Sequence, residues 1–403
     1  MVAPPVGPVL GLPFDLRASC GQRHRAAAGW GALDGASPAR GAPIEAAGAA
    51  AARQGGLTSQ ARAKLRALSA EYPQEELDEA TCRWDSSRRL GSGRYGAVYK
   101  GQLRDGAKVA IKAIDLAALL RNGERPEDCG FEREVRMLSK FRHPNLVTLL
   151  GWGQQGMMHY LVYEYLPGGD LFQRLYKSKL ARGARTFFWH ERLSICADTA
   201  AGISHMHGFA PKGFHRDIKS ANILLDRNGG AKMADFGLSW SADEGPDTSG
   251  AGSAVGTPGY KCPVYAETGV FDEGSEMYSF GMVVLEVLTG LSPSAHSKQT
   301  PGSIVFPIAE TIVPDQEHAA DRCMRNLASV ALWPPKLAWE VAAFALGAVE
   351  CASGDGSARP RFAEALRLLR GMMECFPAPC QGPAAGAAAS PGPPSPAPAT
   401  PPA

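Results

Sequence analysis

Hydrophobic and polar positions alternate in two textures along the chain. From Ser92 to Tyr165, short strand-like runs stand between glycine turns. The runs Tyr95–Lys100 and Lys108–Lys112 flank a turn at Asp105-Gly106. Leu146–Leu150 and His159–Tyr163 form a second pair around a glycine-rich connection. Between the pairs, Phe131, Val135, Leu138 and Phe141 recur at helical spacing, which predicts a helix over 130–141 that His143-Pro144-Asn145 ends. After Pro167-Gly168-Gly169 the texture turns helical. Trp189 to Met206 reads as one long helix with Leu193, Ala197, Ala200 and Ile203 on a buried stripe. Tyr278–Leu288 is almost wholly apolar and predicts a central buried helix; Trp339–Cys351 and Phe362–Met373 are helical again. Ser292 to Pro335 has weak patterning and stays open. The order predicts an α+β, bilobal architecture: a small β-rich lobe carrying one helix, then a larger helical lobe.

The ends differ in composition. Residues 1–71 are rich in Ala, Gly, Pro and Arg, and bury too little apolar surface to offset ordering entropy. Disorder is the expectation; an Arg-rich, acid-poor transit peptide is the lesser alternative, and Gln60–Leu68 could form a short helix. Residues 376–403 are a Pro/Ala-rich tail, also expected to be disordered. The folded domain is therefore placed at 72–375, with a small lobe at about 84–166 and a large lobe at about 167–375.

Bulk properties narrow the function classes. A formal charge of +2 over 403 residues argues against a nucleic-acid surface. The nine cysteines include no C-x-x-C pair, which suits reduced thiols and a cytoplasmic location better than a disulfide framework or structural zinc. No apolar run reaches the length of a membrane helix, so no transmembrane segment is expected.

Chemistry concentrates in Phe214–Asp226. Asp217 can accept a proton from a hydroxyl. Lys219, two residues on, could neutralise phosphate charge, and Asn222 offers a hard amide oxygen to Mg²⁺. Upstream, Gly91, Ser92, Gly93 and Gly96 spell G-x-G-x-x-G and run on to Val98; glycines let backbone N–H groups approach phosphate oxygens. The strand that continues from them disfavours a dinucleotide site, which needs a helix there. Lys112 stands on the apolar strand Val109–Lys112 and needs a partner if buried. Glu134 is the choice, with Glu132 on a different helical direction suited to solvent. Asp235, in Asp235-Phe236-Gly237 just before a Ser/Gly-rich segment, is a second carboxylate for a metal.

Taken in order, G-x-G-x-x-G-x-V, the strand lysine, the helix glutamate, H-R-D-x-x-x-x-N and Asp-Phe-Gly resemble the signature set of protein kinases. The resemblance covers roughly Tyr72 to Met373. It is nearest to the receptor-like and Pelle group of serine/threonine kinases, through Glu76–Trp84, Trp189–Arg192 with Ile195, and Gly256–Tyr265 with Tyr278–Gly281. It implies ATP and Mg²⁺ as cofactors, with Asp217 as catalytic base, Lys219, Lys112 and Glu134 as its helpers, and Asn222 and Asp235 on the metal. It further implies that Leu90, Val98, Ala110, Tyr163, Glu164, Leu166 and Leu224 enclose the nucleotide, with Tyr163 as gatekeeper and Glu164–Leu166 as hinge. Lys219 in D-x-K-x-x-N points to serine or threonine of a protein substrate as acceptor.

Two departures keep a pseudokinase or scaffold in view. Val264 stands where the family carries a glutamate that pairs with a buried arginine, here Arg359 by similarity; Glu276 replaces the aspartate at the start of the central helix. Arg216, before Asp217, is expected to have weak partners until an activation-loop phosphate arrives, from an upstream kinase or a second copy acting in trans. Thr248, Ser249 and Ser253 are the candidate acceptors, whereas Thr257 reads as a structural hydroxyl contacting Asp217 and Lys219.

Overall fold

The structure is a computed structural model; it describes residues 57–93, 95–125, 129–176, 186–244, 254–297, 299–300, 302–315, 317–350 and 359–377. The chain opens with helix α1 (Ser59–Leu68), strand β1 (Ala70–Glu71) and helix α2 (Gln74–Ala80). Then follow β2 (Arg89–Gly93), β3 (Gly96–Gln102), β4 (Lys108–Asp115), α3 (Leu116–Arg121), α4 (Phe131–Lys140), β5 (Leu149–Gln155) and β6 (Met158–Glu164). The six strands form one sheet in the order β1-β5-β6-β4-β3-β2, antiparallel except for the parallel β1–β5 pair. Alternation sends Val109, Ile111 and Ala113 of β4 to one face, where they pack with Leu77 and Ala80 of α2. On the α4 side, Phe131, Val135 and Leu138 join Trp152 and Leu161. The predicted helical stripe is thus the buried face of α4, with Glu132 exposed.

Two expectations are corrected here. The boundary at 72 is too late: α1 buries Leu65 in the core, and β1 adds a strand to the sheet. The predicted strand Leu146–Leu150 lies instead at Leu149–Gln155, while Leu146 makes only an isolated bridge to Met233. Glycines hid this strand, because an added Cβ at Gly151 would lie 2.4 Å from the Ala70 carbonyl oxygen. Leu146 and Val147 are buried as the pattern suggested, but as a connection to the large lobe.

The large lobe holds α5 (Leu171–Tyr176), α6 (Trp189–His207), β7 (Gly213–Phe214), β8 (Ile223–Leu225), β9 (Ala231–Met233), β10 (Trp240–Ser241), α7 (Pro263–Thr268) and α8 (Glu273–Thr289). The open stretch 292–335 contains a two-stranded ladder of β11 (Ala295–His296) and β12 (Ile304–Val305), then α9 (Pro307–Thr311) and α10 (Ala319–Arg325). α11 (Pro335–Val349) and α12 (Phe362–Cys375) complete it. Helix α8 is apolar nearly all round because α6, α9, α10 and α11 cover it. At Gly281 an added Cβ would lie 2.8 Å from Ala348, so that glycine sets how closely α11 approaches. Among the described residues no helix is long and apolar enough to cross a membrane.

Candidate active site

Strand register places the first cluster. In β3–β4–β6, Val98 faces Lys112 and Lys112 faces Leu161, while Ala110 faces Tyr163. Directly opposed and alternate residues share a face, so Val98, Ala110 and Lys112 line one side of the sheet. Lys112 Nζ donates to Glu134 Oε2 at 3.0 Å and to Asp235 Oδ1 at 2.8 Å. Burial alone would lower the ammonium's pKa, but Asp235 and Glu134 outweigh it and hold Lys112 above its ordinary value. Lys112 in turn is the main reason that Asp235 falls to about 2, so this carboxylate is ionised. Glu134 is 1% exposed, and its other oxygen accepts the Phe236 N–H at 3.1 Å. One glutamate on α4 therefore ties the strand lysine to the Asp-Phe-Gly turn.

That turn is held closely. Asp235 has φ +64°, a left-handed conformation costing a non-glycine residue on the order of 1–3 kcal/mol. Arg133 donates to the Gly237 carbonyl at 3.1 Å. Gly130, φ +72°, starts α4 where a Cβ would sit 2.2 Å from the Gly237 carbonyl oxygen. Only glycine lets helix and turn approach this closely.

The second cluster hangs from α8. Glu276, 1% exposed, accepts the His215 N–H at 2.5 Å and the Arg216 N–H at 2.7 Å, and its second oxygen meets His207 Nε2 at 2.7 Å. Asp217 projects from this loop, 6% exposed. Its Oδ1 accepts Thr257 Oγ1 at 2.6 Å; its Oδ2 accepts Lys219 Nζ at 2.6 Å and Asn222 Nδ2 at 3.0 Å. Lys219 also reaches Thr257 Oγ1 at 2.9 Å, as expected for a structural hydroxyl. Asn222 spends its side-chain N–H groups on Asp217, leaving its side-chain amide oxygen for another partner. The main-chain carbonyl of Asn222 accepts the Ala234 N–H at 2.8 Å, which keeps Asn222 and Asp235 on adjoining segments at the open end of the β8–β9 hairpin.

The donor set suits a hard divalent cation. It comprises an ionised, 48% exposed carboxylate at Asp235 and an amide oxygen at Asn222. Among the described residues no cluster of three or more His, Cys, Asp or Glu could hold a metal alone, so oxygens from outside the protein, water among them, would complete the shell.

The remaining expected residues lie on β2, β3, β6, β8 and the segment after β6. β2 and β3 close at Gly93 and Gly96; an added Cβ at Gly91 or Gly93 would meet nothing within 4 Å, whereas at Gly96 it would lie 1.8 Å from the Ala113 oxygen. Ser92 pairs with Ala97, and Leu90 is 45% exposed. Tyr163 is buried, and that burial with Glu134 nearby pushes its hydroxyl pKa well above the usual range. Glu164 accepts the Thr148 N–H at 2.8 Å and Lys232 Nζ at 2.9 Å. Leu166 and Leu224 are partly buried against the core, and Leu224 bridges to Asp170.

Sequence reasoning named Glu276 only as a departure from the family, and missed His207, Arg133 and Glu286, which accepts hydroxyls of Ser220 (2.9 Å), Tyr260 (2.8 Å) and Tyr176 (3.0 Å). Polar residues inside the apolar run 278–288 were the available signal for Glu286. Two expectations are corrected. Arg359 is 6% exposed yet donates to the carbonyls of Gly274 (2.7 Å) and Glu350 (3.0 Å) and stacks over Tyr278, so Val264 strands no charge. Arg216 is not poorly partnered: it donates to the Tyr265 hydroxyl at 2.9 Å and lies over Phe271. Thr248, Ser249 and Ser253 lie outside the described residues.

Comparison with known proteins places this arrangement. The model of the protein kinase domain matches residues 84–330. Probable serine/threonine-protein kinase PBL28 of Arabidopsis thaliana is 42% identical over 231 residues, 56% of this chain and 60% of that protein. Receptor-like kinase TMK4 of the same plant is 40% identical over 228 residues, 56% of this chain and 24% of that protein. PTI1-like tyrosine-protein kinase 1, also from that plant, is 38% identical over 241 residues, 58% of this chain and 65% of that protein. The chain thus spans between about a quarter and two thirds of the length of these curated relatives.

Proposed function

Because the chain belongs to the protein kinase family, we propose that it transfers the γ-phosphoryl group of ATP to serine or threonine hydroxyls of a protein. The observation that carries this reading is Lys112 bonded at once to Glu134 and Asp235, on the sheet face shared with Val98 and Ala110. Phosphoryl transfer asks little covalent chemistry of a protein; it asks for held phosphates and an aligned acceptor. In this reading Gly91, Ser92, Gly93 and Gly96 cover the phosphates, Lys112 holds them, and Leu90, Val98, Ala110, Tyr163, Glu164, Leu166 and Leu224 enclose the base. Asn222 and Asp235 would hold Mg²⁺, which supplies charge neutralisation on the phosphates when bound. The acceptor oxygen forms its bond to the γ-phosphorus as the bond to the β–γ bridging oxygen breaks. The electron pair leaves on ADP, and the hydroxyl proton passes to Asp217. Lys219, already 2.6 Å from Asp217, would screen the charge of the incoming phosphoryl oxygens.

A scaffold without transfer loses its main argument, since Arg359 has acceptors despite Val264. Location in the cytoplasm, and an upstream kinase or a second copy as activating partner, belong to this same proposal. The test is purified protein with Mg-ATP and a generic protein acceptor, followed by phosphoamino-acid analysis. Phosphoserine or phosphothreonine is the expected product. Phosphotyrosine alone would overturn the acceptor class, and no incorporation would overturn the activity.

A further inference from the structure

The family match begins at residue 84, yet the chain is folded and packed from residue 57. We propose that residues 57–72 are a built-in positioning element for α4, with Leu65 and Glu71 as its positioning residues, holding Glu134 on Lys112.

The physical path is short. Thr58 caps α1 by accepting the Ala61 N–H at 3.2 Å, so this helix has a defined start. Helix α1 packs on α4, and its single fully buried side chain, Leu65 at 2% exposed, enters the cluster that contains Phe131, Val135 and Leu138. These are the residues of α4 flanking Glu134. The segment then turns back as β1. Ala70 and Glu71 pair with Gly151 and Trp152 of β5, and the Tyr72 N–H donates to the Trp152 carbonyl at 2.7 Å. Trp152 is fully buried and meets the first residue of α4, Phe131, edge to face at 6.2 Å. Helix and strand are locked to each other through Glu71, which is 11% exposed and takes both Arg62, at 2.8 Å to Nε, and Arg66.

The sheet is shaped to receive this segment. A Cβ at Gly151 would lie 2.4 Å from the Ala70 oxygen and 2.5 Å from the Tyr72 ring; at Gly153 it would lie 2.9 Å from the Tyr72 oxygen. Two glycines in a strand of seven weaken that strand unless another backbone needs the room. Here the room is used. Helix α4 is thus held by α1 and, at its start, by β1 through Trp152, while the same helix carries Glu134 to Lys112 and Phe236. Loosening the grip frees α4, and Lys112 then keeps only Asp235.

The inference rests on the proposed phosphoryl transfer for its activity readout alone. The experiment compares full-length wild type with Leu65→Ser, Leu65→Met and Glu71→Ala. Amide hydrogen exchange is followed in α4 and α8 without nucleotide, and kcat and the KM for ATP are measured beside it. In Leu65→Ser, exchange across α4 rises about tenfold or more while α8 is unchanged, a local opening. Its kcat falls about tenfold, and Leu65→Met returns both readings to wild type. Glu71→Ala, at the edge of the lobe where folding is not at stake, shifts α4 exchange in the same direction by a smaller factor. Unchanged α4 exchange in both Leu65→Ser and Glu71→Ala overturns the proposal. So does a rise in α8 equal to that in α4 with Glu71→Ala silent, since that is general loosening. If wild type transfers no phosphate, the kinase reading fails on its own, and the exchange data still decide whether this segment positions α4.

Discussion

Glu286 sets a pH dependence for the large lobe. It lies on α8, fully buried, and its carboxyl accepts the hydroxyls of Tyr260, Ser220 and Tyr176. Burial is the dominant influence and pushes its pKa up to about 7 from an ordinary 4.5, although those three hydrogen bonds pull the other way. Between these values the unfolded chain has released a proton that the folded chain retains. The folded state then binds more protons, so stability falls as pH rises. The contribution is complete below about 4.5 and is lost as pH climbs through about 7. At about 1.4 kcal/mol per pH unit, the gap amounts to roughly 3 kcal/mol. Glu286→Gln keeps the volume and removes the titration; its amide can still accept from one hydroxyl and donate to others that turn. The assay is thermal unfolding of both proteins from pH 5 to 8. Wild type should lose ground to Glu286→Gln over that range, by roughly 5 °C in Tm at the top of it. Parallel Tm curves for the two proteins would refute the reasoning and show that Glu286 ionises in both states alike.

Other substitutions probe the site and its supports. Lys112→Met and Asp217→Asn should each abolish phosphoryl transfer while circular dichroism and Tm stay near wild type; wild-type-like transfer from either mutant sinks the assignment. Val264→Glu should leave Tm unchanged or lower, because Arg359 already has the Gly274 and Glu350 carbonyls, and a new partly buried carboxylate must lose part of its hydration; a clear rise in Tm would show those carbonyls to be poor substitutes. Alanine at Thr248, Ser249 and Ser253 together should lower activity, since a phosphate adds about −1.5 to −2 charge for Arg216 to bind. Full activity in that triple mutant would mean that Tyr265, already on Arg216 and on the Val255 N–H at 3.1 Å, suffices to order the segment.

What could be read from the sequence follows a physical divide. Motif residues with fixed chemistry at fixed spacing could be named: Lys112 is hydrogen-bonded to Glu134 and Asp235, and Asn222 to Asp217. Helices α4, α6 and α8 were legible because their apolar stripes or runs are long. Strand β5 was misplaced because Gly151 and Gly153 erase its alternation, and they do so to admit β1, a partner distant in the chain. Leu65 gave no periodic signal, being one buried side chain on a helix otherwise facing solvent. Arg359 and Arg216 were misjudged because their acceptors are backbone carbonyls and a tyrosine hydroxyl, groups present everywhere in a sequence and therefore uninformative until placed.

Glu276 grips its loop by main-chain N–H groups of His215 and Arg216, not by their side chains. Every non-proline residue brings that donor, so the grip does not depend on which side chains occupy 215 and 216. Only one position can supply the acceptor. The hold of α8 on this loop therefore survives a change of side chain at 215 or 216, whatever that change does to the chemistry, and is lost with the carboxylate in the helix beneath.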